Sequence, residues 1–310
     1  MPFEPVILFF LLGLFAGVIR SDLKIPGVLY ESISIFLLLA IGLKGGVELA
    51  RYPLHEFIGP ALWVVAIATL IPLAAFPILR RLGGLPRADA ASIAAHYGSV
   101  SVVTFVVAGT FLAGIDEPAE GYMIVFLVLL EFPALMIGVA LARYGKGNTA
   151  WGHLLHEVVS GKSILLLIGG LVIGWVAGHE GIKPLDRLFF DLFKGLLAIF
   201  LLEMGLVAAS RLGDLRRAGP FLLSFAIVMP LCAGLLGILT ARFIDLSLGG
   251  TVLLATLYAS ASYIAAPAAM RIAVPEANPA LSVGAALGIT FPFNLLIGIP
   301  LYHWAALQLR

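Results

Sequence analysis

Long apolar runs follow one another along the chain, separated by short clusters of charge, glycine and proline. They fall at 5–19, 27–43, 58–79, 88–113, 121–142, 163–178, 188–209, 219–241, 248–273 and 280–307. About 20 helical residues cross a hydrocarbon core, so the pattern predicts an all-α integral membrane protein of about ten transmembrane helices. The run at 5–19 is short for a span. Met1 to Glu4 lack a basic n-region and no small-residue cleavage site follows, so this run is expected to be a retained span.

The runs repeat. Span 4 contains Tyr97-Gly98-Ser99-Val100-Ser101, and span 9 contains Tyr258-Ala259-Ser260-Ala261-Ser262, 161 positions later. Span 5 has Phe132-Pro133 and then Ile137-Gly138; span 10 has Phe291-Pro292 and then Ile297-Gly298. Span 2 ends in Ile41-Gly42-Leu43 with Gly59-Pro60 beyond, and span 7 ends in Met204-Gly205-Leu206 with Gly219-Pro220 beyond. The shared order and offset predict two five-span halves, residues 1–143 and 162–310, joined by a cytoplasmic linker over 144–161. An odd number of spans turns the second half upside down, the inverted-repeat plan of many secondary transporters.

Basic residues set the orientation, because basic loops stay cytoplasmic. The connections after spans 1, 3, 5, 7 and 9 carry twelve lysines and arginines, among them Arg80, Arg81, Arg143, Arg216 and Arg217; the opposite side carries six. Both termini are therefore expected outside the plasma (inner) membrane.

Spans 4 and 9 are each interrupted by a Tyr-small-Ser-small-Ser run, with Pro267 placed to open a new half-helix in span 9. A helix broken inside a membrane strands backbone N–H groups, and serine is one of the few residues that cap them. Broken backbone at that depth needs cover from protein or a watery cavity. The resumed helix N-termini would present N–H donors and a positive dipole end to a small anion. The candidate substrate-binding residues are Tyr97, Gly98, Ser99, Val100 and Ser101 in span 4, and Tyr258, Ser260, Ala261, Ser262 and Tyr263 in and beside the span 9 break. The structural alternative is that these small residues only let helices pack closely.

Ionisable residues inside spans are costly and mark function by default. Glu131 directly precedes the Phe-Pro of span 5 and is the first candidate for ion coupling, with His96 and Lys44 beside it; Glu203 lies within span 7. Each has a plainer explanation, namely a buried ion pair, a satisfied core histidine, or a lysine that snorkels to the interface. His153 and His156 in the linker offer too few ligands for a metal.

Composition closes off other classes. The chain is 61% hydrophobic and 12% charged, and its mean hydropathy is +1.07. Lipid must solvate much of it, and no room remains for a sizeable soluble domain. A net charge of +1 without a basic cluster gives no reason to expect nucleic acid. The single cysteine, Cys232, excludes an intramolecular disulfide framework. No nucleophile elbow, phosphate loop or zinc helix is present, so no enzyme activity is expected.

At these segments the chain resembles the SbtA-type sodium-dependent bicarbonate transporter family over nearly its whole length. The resemblance rests on Ile41-Gly42-Leu43-Lys44-Gly45-Gly46, Ser99-Val100-Ser101, Phe132-Pro133-Ala134-Leu135, and Met204-Gly205-Leu206 through Arg216. It continues through Ser247-Leu248-Gly249-Gly250 to Pro275-Glu276-Ala277-Asn278-Pro279. It implies a 5+5 inverted repeat with discontinuous helices 4 and 9, core and gate domains, a homotrimer, and bicarbonate bound where spans 4 and 9 cross. It also implies a bound sodium ion as the only cofactor, and elevator-type alternating access. Tyr263 stands where cyanobacterial members have aspartate, and Ala265 where they have serine, so one anionic sodium ligand is missing; Glu131 keeps the other carboxylate. The linker is shorter than the family's, so a PII-like partner rests on the resemblance alone. The expected function is secondary active transport of bicarbonate with sodium. The alternatives are an uncoupled or proton-coupled carrier or channel for another small anion or carboxylate, and a non-transporting sensor.

Overall fold

The computed structural model describes residues 5–144, 152, 156 and 160–309; the side chains of residues 54, 55 and 212–218 lie outside that description. The linker, with His153, falls largely outside it too. Among the described residues every element is helical.

The first half comprises α1 (Pro5–Val18), α2 (Gly27–Leu49), α3 (Leu54–Ala68), α4 (Leu70–Arg81), α5 (Arg87–Gly98), α6 (Val102–Gly114) and α7 (Met123–Arg143). Past the linker run α8 (Lys162–Ile182), α9 (Phe193–Phe243), α10 (Leu248–Ala259) and α11 (Ala265–Ala273). Then α12 (Pro279–Ala285) continues through π turns into α13 (Ile299–Gln308). Eight stretches are long and apolar enough to cross a membrane, and Pro5–Val18 and Leu248–Ala259 are shorter apolar helices. All ten apolar runs are thus helical, and the protein is a multi-pass membrane protein.

Spans 7 and 8 are two helices that meet within α9 at a kink, at Gly219, whose φ of 77° and ψ of 165° are non-helical and lie where only glycine is at ease. The span windows on either side remain Arg187–Arg211 and Gly219–Phe243.

Lipid gives helices no hydrophobic reason to associate, so close packing through small residues takes that role. Gly13 and Gly17 of α1 lie against the backbone and Ala209 of α9, and Gly205 of α9 lies against Phe10 and Leu14. Gly42 and Gly46 of α2 meet Leu167, Gly170, Leu171 and Gly174 of α8 in the same way; a Cβ on Gly170 would come within 2.9 Å of the Leu39 carbonyl oxygen. The other faces of these helices are apolar and exposed, as at Leu12, Phe15, Val172 and Val176.

The remaining helices gather around α5, whose residues from Ala90 to Gly98 are all buried. Small residues again set the spacing. Gly138 of α7 lies against Ala95 and Ala91, and Gly98 against Pro72 and Ala134. Arginines tie off helix ends near that core. The Arg143 guanidinium donates through Nε and Nη2 to the Ala273 carbonyl at 3.0 and 2.7 Å, and Arg87 Nε donates to the Leu141 carbonyl at 2.7 Å.

Candidate functional site

Two interruptions meet in this core. Helix α5 ends at Gly98 and α6 begins at Val102; α10 ends at Ala259 and α11 begins at Ala265. Ser99 (φ −91°, ψ 168°) and Ser260 (φ −80°, ψ 165°) follow their helices in the same extended conformation. Proline is not the first residue of the resumed helix: Ala265 is, and Pro267 follows within the first turn, where its missing N–H still costs nothing.

The serines connect the breaks to each other. Ser260 Oγ accepts from the Ser101 N–H at 2.9 Å and donates to the Leu257 carbonyl at 2.8 Å, and the Ser262 N–H donates to the His96 carbonyl at 2.8 Å. Serine also caps each resumed helix. Ser101 Oγ accepts from Thr104 N–H at 3.2 Å and Thr104 Oγ1 at 2.9 Å, while Ser262 Oγ accepts from Ala266 N–H at 3.1 Å. Ser99 Oγ donates to the Glu131 carbonyl at 3.2 Å, which ties the first break to α7.

The tyrosines anchor the helices that enter the breaks. Tyr258 donates to the Val64 carbonyl of α3 at 2.6 Å. Thr290 donates to the Ala226 carbonyl at 2.7 Å, so at 2.7 Å Tyr97 is the donor to Thr290 Oγ1. Tyr263 is buried with its ring edge-on to Phe291, centroids 5.1 Å apart. Val100, Ala261 and Gly98 are buried in the same core.

Of the coupling candidates, the structure brings two to this place. Glu131 is 2% exposed and its Oε2 has no hydrogen-bond partner. His96 is fully buried; its Nδ1 lies 2.7 Å from the Ser92 carbonyl, which can only accept, so Nδ1 carries a proton and Nε2, also without a partner, offers a lone pair. Lys44 is exposed on α2.

The amides of Ser101 and Ser262 are not open to a guest, because the breaks use them on each other. The donors left over lie one step further on. A new helix has no preceding carbonyls for its first-turn N–H groups, and the caps take those of Thr104 and Ala266, leaving Val102 and Val103 in α6 and Ala265 in α11. Val102 and Val103, with Ile264, line a small cavity together with Ser34, Leu37 and Ile41 of α2 and Leu197 and Phe200 of α9. The sequence reading passed over these residues because they are apolar, although the capping rule that selected the serines also identifies them.

A many-span helical protein whose buried polar groups gather at two facing helix interruptions has the build of a membrane transporter. A family model described as the Na+-dependent bicarbonate transporter superfamily matches residues 5–307, and the chain belongs to that superfamily. No curated protein matches the chain.

Proposed function

We propose that the protein is a secondary active transporter of bicarbonate, coupled to sodium and working by elevator-type alternating access. The anion would lie against the free amides of Val102, Val103 and Ala265, with the positive ends of α6 and α11 converging on it. The observation that carries this reading is the direct bonding of the two breaks, Ser260 Oγ to Ser101 N–H and Ser262 N–H to the His96 carbonyl. It joins the start of α6 to the break that precedes α11, and two helix N-termini brought together there would favour negative charge.

The recurrence of Ser99 and Ser260 in one conformation 161 residues apart supports an inverted repeat. So does the matched glycine packing of α1 on α9 and α2 on α8. On that reading these four helices are the gate domain and the helices around α5 the core domain, with both termini outside. Glu131 would serve the cation. A carboxylate withdrawn from water costs several kcal/mol unless charge compensates it, and a sodium ion at Oε2 would do so, with serine hydroxyls and carbonyls completing its shell.

A second reading is proton coupling. The buried, partnerless Glu131 Oε2 and His96 Nε2 are both proton sites, and Tyr263 supplies no negative charge where the family resemblance places aspartate. Uptake of labelled bicarbonate into proteoliposomes separates the readings. Accumulation driven by an inward sodium gradient is expected; accumulation under a proton gradient alone would favour the second. No uptake above empty liposomes under either gradient would overturn both.

A further inference from the structure

Beside the small cavity at Val102 and Val103 lies a larger one, and a single residue lines both. The larger space, about 250 Å³, is walled by Leu135 of α7, by Gly161, Lys162, Ser163 and Ile164 at the start of α8, and by Ile264, Ala265, Ala268, Ala269 and Ile272 at α11. Lys162, at the start of α8, reaches across to Glu31 of α2 at 2.6 Å. The smaller space, about 20 Å³, is walled by Ser34, Val102, Val103, Ile264 and apolar residues of α2 and α9. About 10–15 Å³ accommodates one water, so the smaller space has no room for a planar oxyanion as it stands. Ile264 is the residue common to the two.

We infer that Ile264 is the gate between the small cavity lined by Val102 and Val103, whose backbone carries the unpaired amides, and the larger space beside Lys162, an aqueous vestibule. The side chain has the position and chemistry for this. Ile264 is the last residue before α11, with φ −116° and ψ −59° at a helix start rather than within a helix, and it is half-buried. A change in its backbone angles or rotamer would carry a bulky apolar group out of the opening while the Ser262 cap holds α11 in place. Ala265, Ala268 and Ala269 present small side chains to the vestibule, and Lys162, ion-paired with Glu31, is the cation among its described lining residues. Closed, the isoleucine excludes water from the amides; open, it merges the two spaces into a volume that fits the cargo.

The inference rests on the proposed transport reading for the identity of the cargo, but its test needs no transport. Cys232 is the only cysteine, so Cys232→Ser gives a background for single reporters. Ala268→Cys reports on the vestibule and Val102→Cys on the space behind Ile264, each treated with a charged, membrane-impermeant methanethiosulfonate applied to one face of oriented membrane vesicles. Ala268→Cys is expected to react from the Lys162 face, and Val102→Cys to react slowly while Ile264 is present. Adding Ile264→Ala is expected to speed modification at Val102→Cys about ten- to a hundredfold from that face alone, the factor set by the burial of the lost side chain. If the alanine variant does not fold, Ile264→Val, which removes one methyl, is expected to give about a threefold rise.

An unreactive Ala268→Cys would show the space to be lipid-filled and overturn the vestibule. Equal rates at Val102→Cys with and without the isoleucine would overturn the gate. Labelling as expected in a protein that takes up no bicarbonate would sink the cargo reading and leave the gate standing.

Discussion

Replacing Ser260 with alanine probes the joint between the two breaks more sharply than any other single change. Ser260 is 1% exposed and Ser101 is 4% exposed, so water does not reach the bond between Ser260 Oγ and the Ser101 amide. Alanine removes that oxygen and leaves a buried N–H with no acceptor; it also frees the Leu257 carbonyl, which Ser260 Oγ engages at 2.8 Å. Stranding a buried donor costs about 1–3 kcal/mol, a factor of about 5–150 in an equilibrium constant. The control is Ser282→Ala. Ser282 is also 1% exposed, but its hydroxyl reaches only the Pro279 carbonyl at 3.4 Å, a long contact of little strength, so its loss should cost about 0.5 kcal/mol or less. Reversible unfolding titrated with SDS in mixed micelles measures both variants on one scale. A Ser260→Ala loss no larger than that of Ser282→Ala would mean that the joint contributes nothing and that the breaks are positioned by the surrounding helices alone.

Four further outcomes are expected. At Gly46, where an added Cβ would press on Leu171 and Trp175 of α8, Gly46→Ala should cost about 1–3 kcal/mol in the same titration. Gly109→Ala, where nothing lies within 4 Å, should instead stabilise α6 by up to about 1 kcal/mol. Arg143→Gln removes the guanidinium that caps the last carbonyl of α11 and should lower stability by about 1–2 kcal/mol, with no loss from the lysine variant refuting the need for its forked geometry. Glu131→Gln keeps the shape and removes the charge; accumulation driven by a sodium gradient should fall about tenfold or more, and an unchanged sodium response would remove Glu131 from coupling.

The helices were legible because lipid imposes a simple rule. Each apolar run between charges became a helix, and the Tyr-small-Ser-small-Ser runs became the two interruptions, since serine there offers the caps that a broken helix needs. Glu131 and His96 stood out because ionisable side chains in apolar runs are rare, and both are buried. What could not be read was partnership across the chain. The pattern around Tyr97 gives no hint of Thr290, 193 residues away, nor does Ser101 announce Ser260 as the acceptor of its amide. Those partners take the serine amides, so the open donors belong to the residues that follow them. The junction of spans 7 and 8 was legible as well: Gly219, directly before Pro220, takes a φ of 77° outside the helical region, and the helix of span 7 gives way there to that of span 8. Lys44 shows the converse: one lysine near Gly42 and Gly46 fits either face of a helix, and only the packing of α2 on α8 turns it outward.

The most direct measurement is a cryo-electron microscopy structure of the protein in lipid with saturating bicarbonate and sodium, compared with one in which both are omitted. The expected result is planar density against the amides of Val102, Val103 and Ala265, present only with bicarbonate, and the two breaks still bonded through Ser260 and Ser101. Bicarbonate density elsewhere in the fold, or unbroken helices through 99–101 and 260–264, would contradict it.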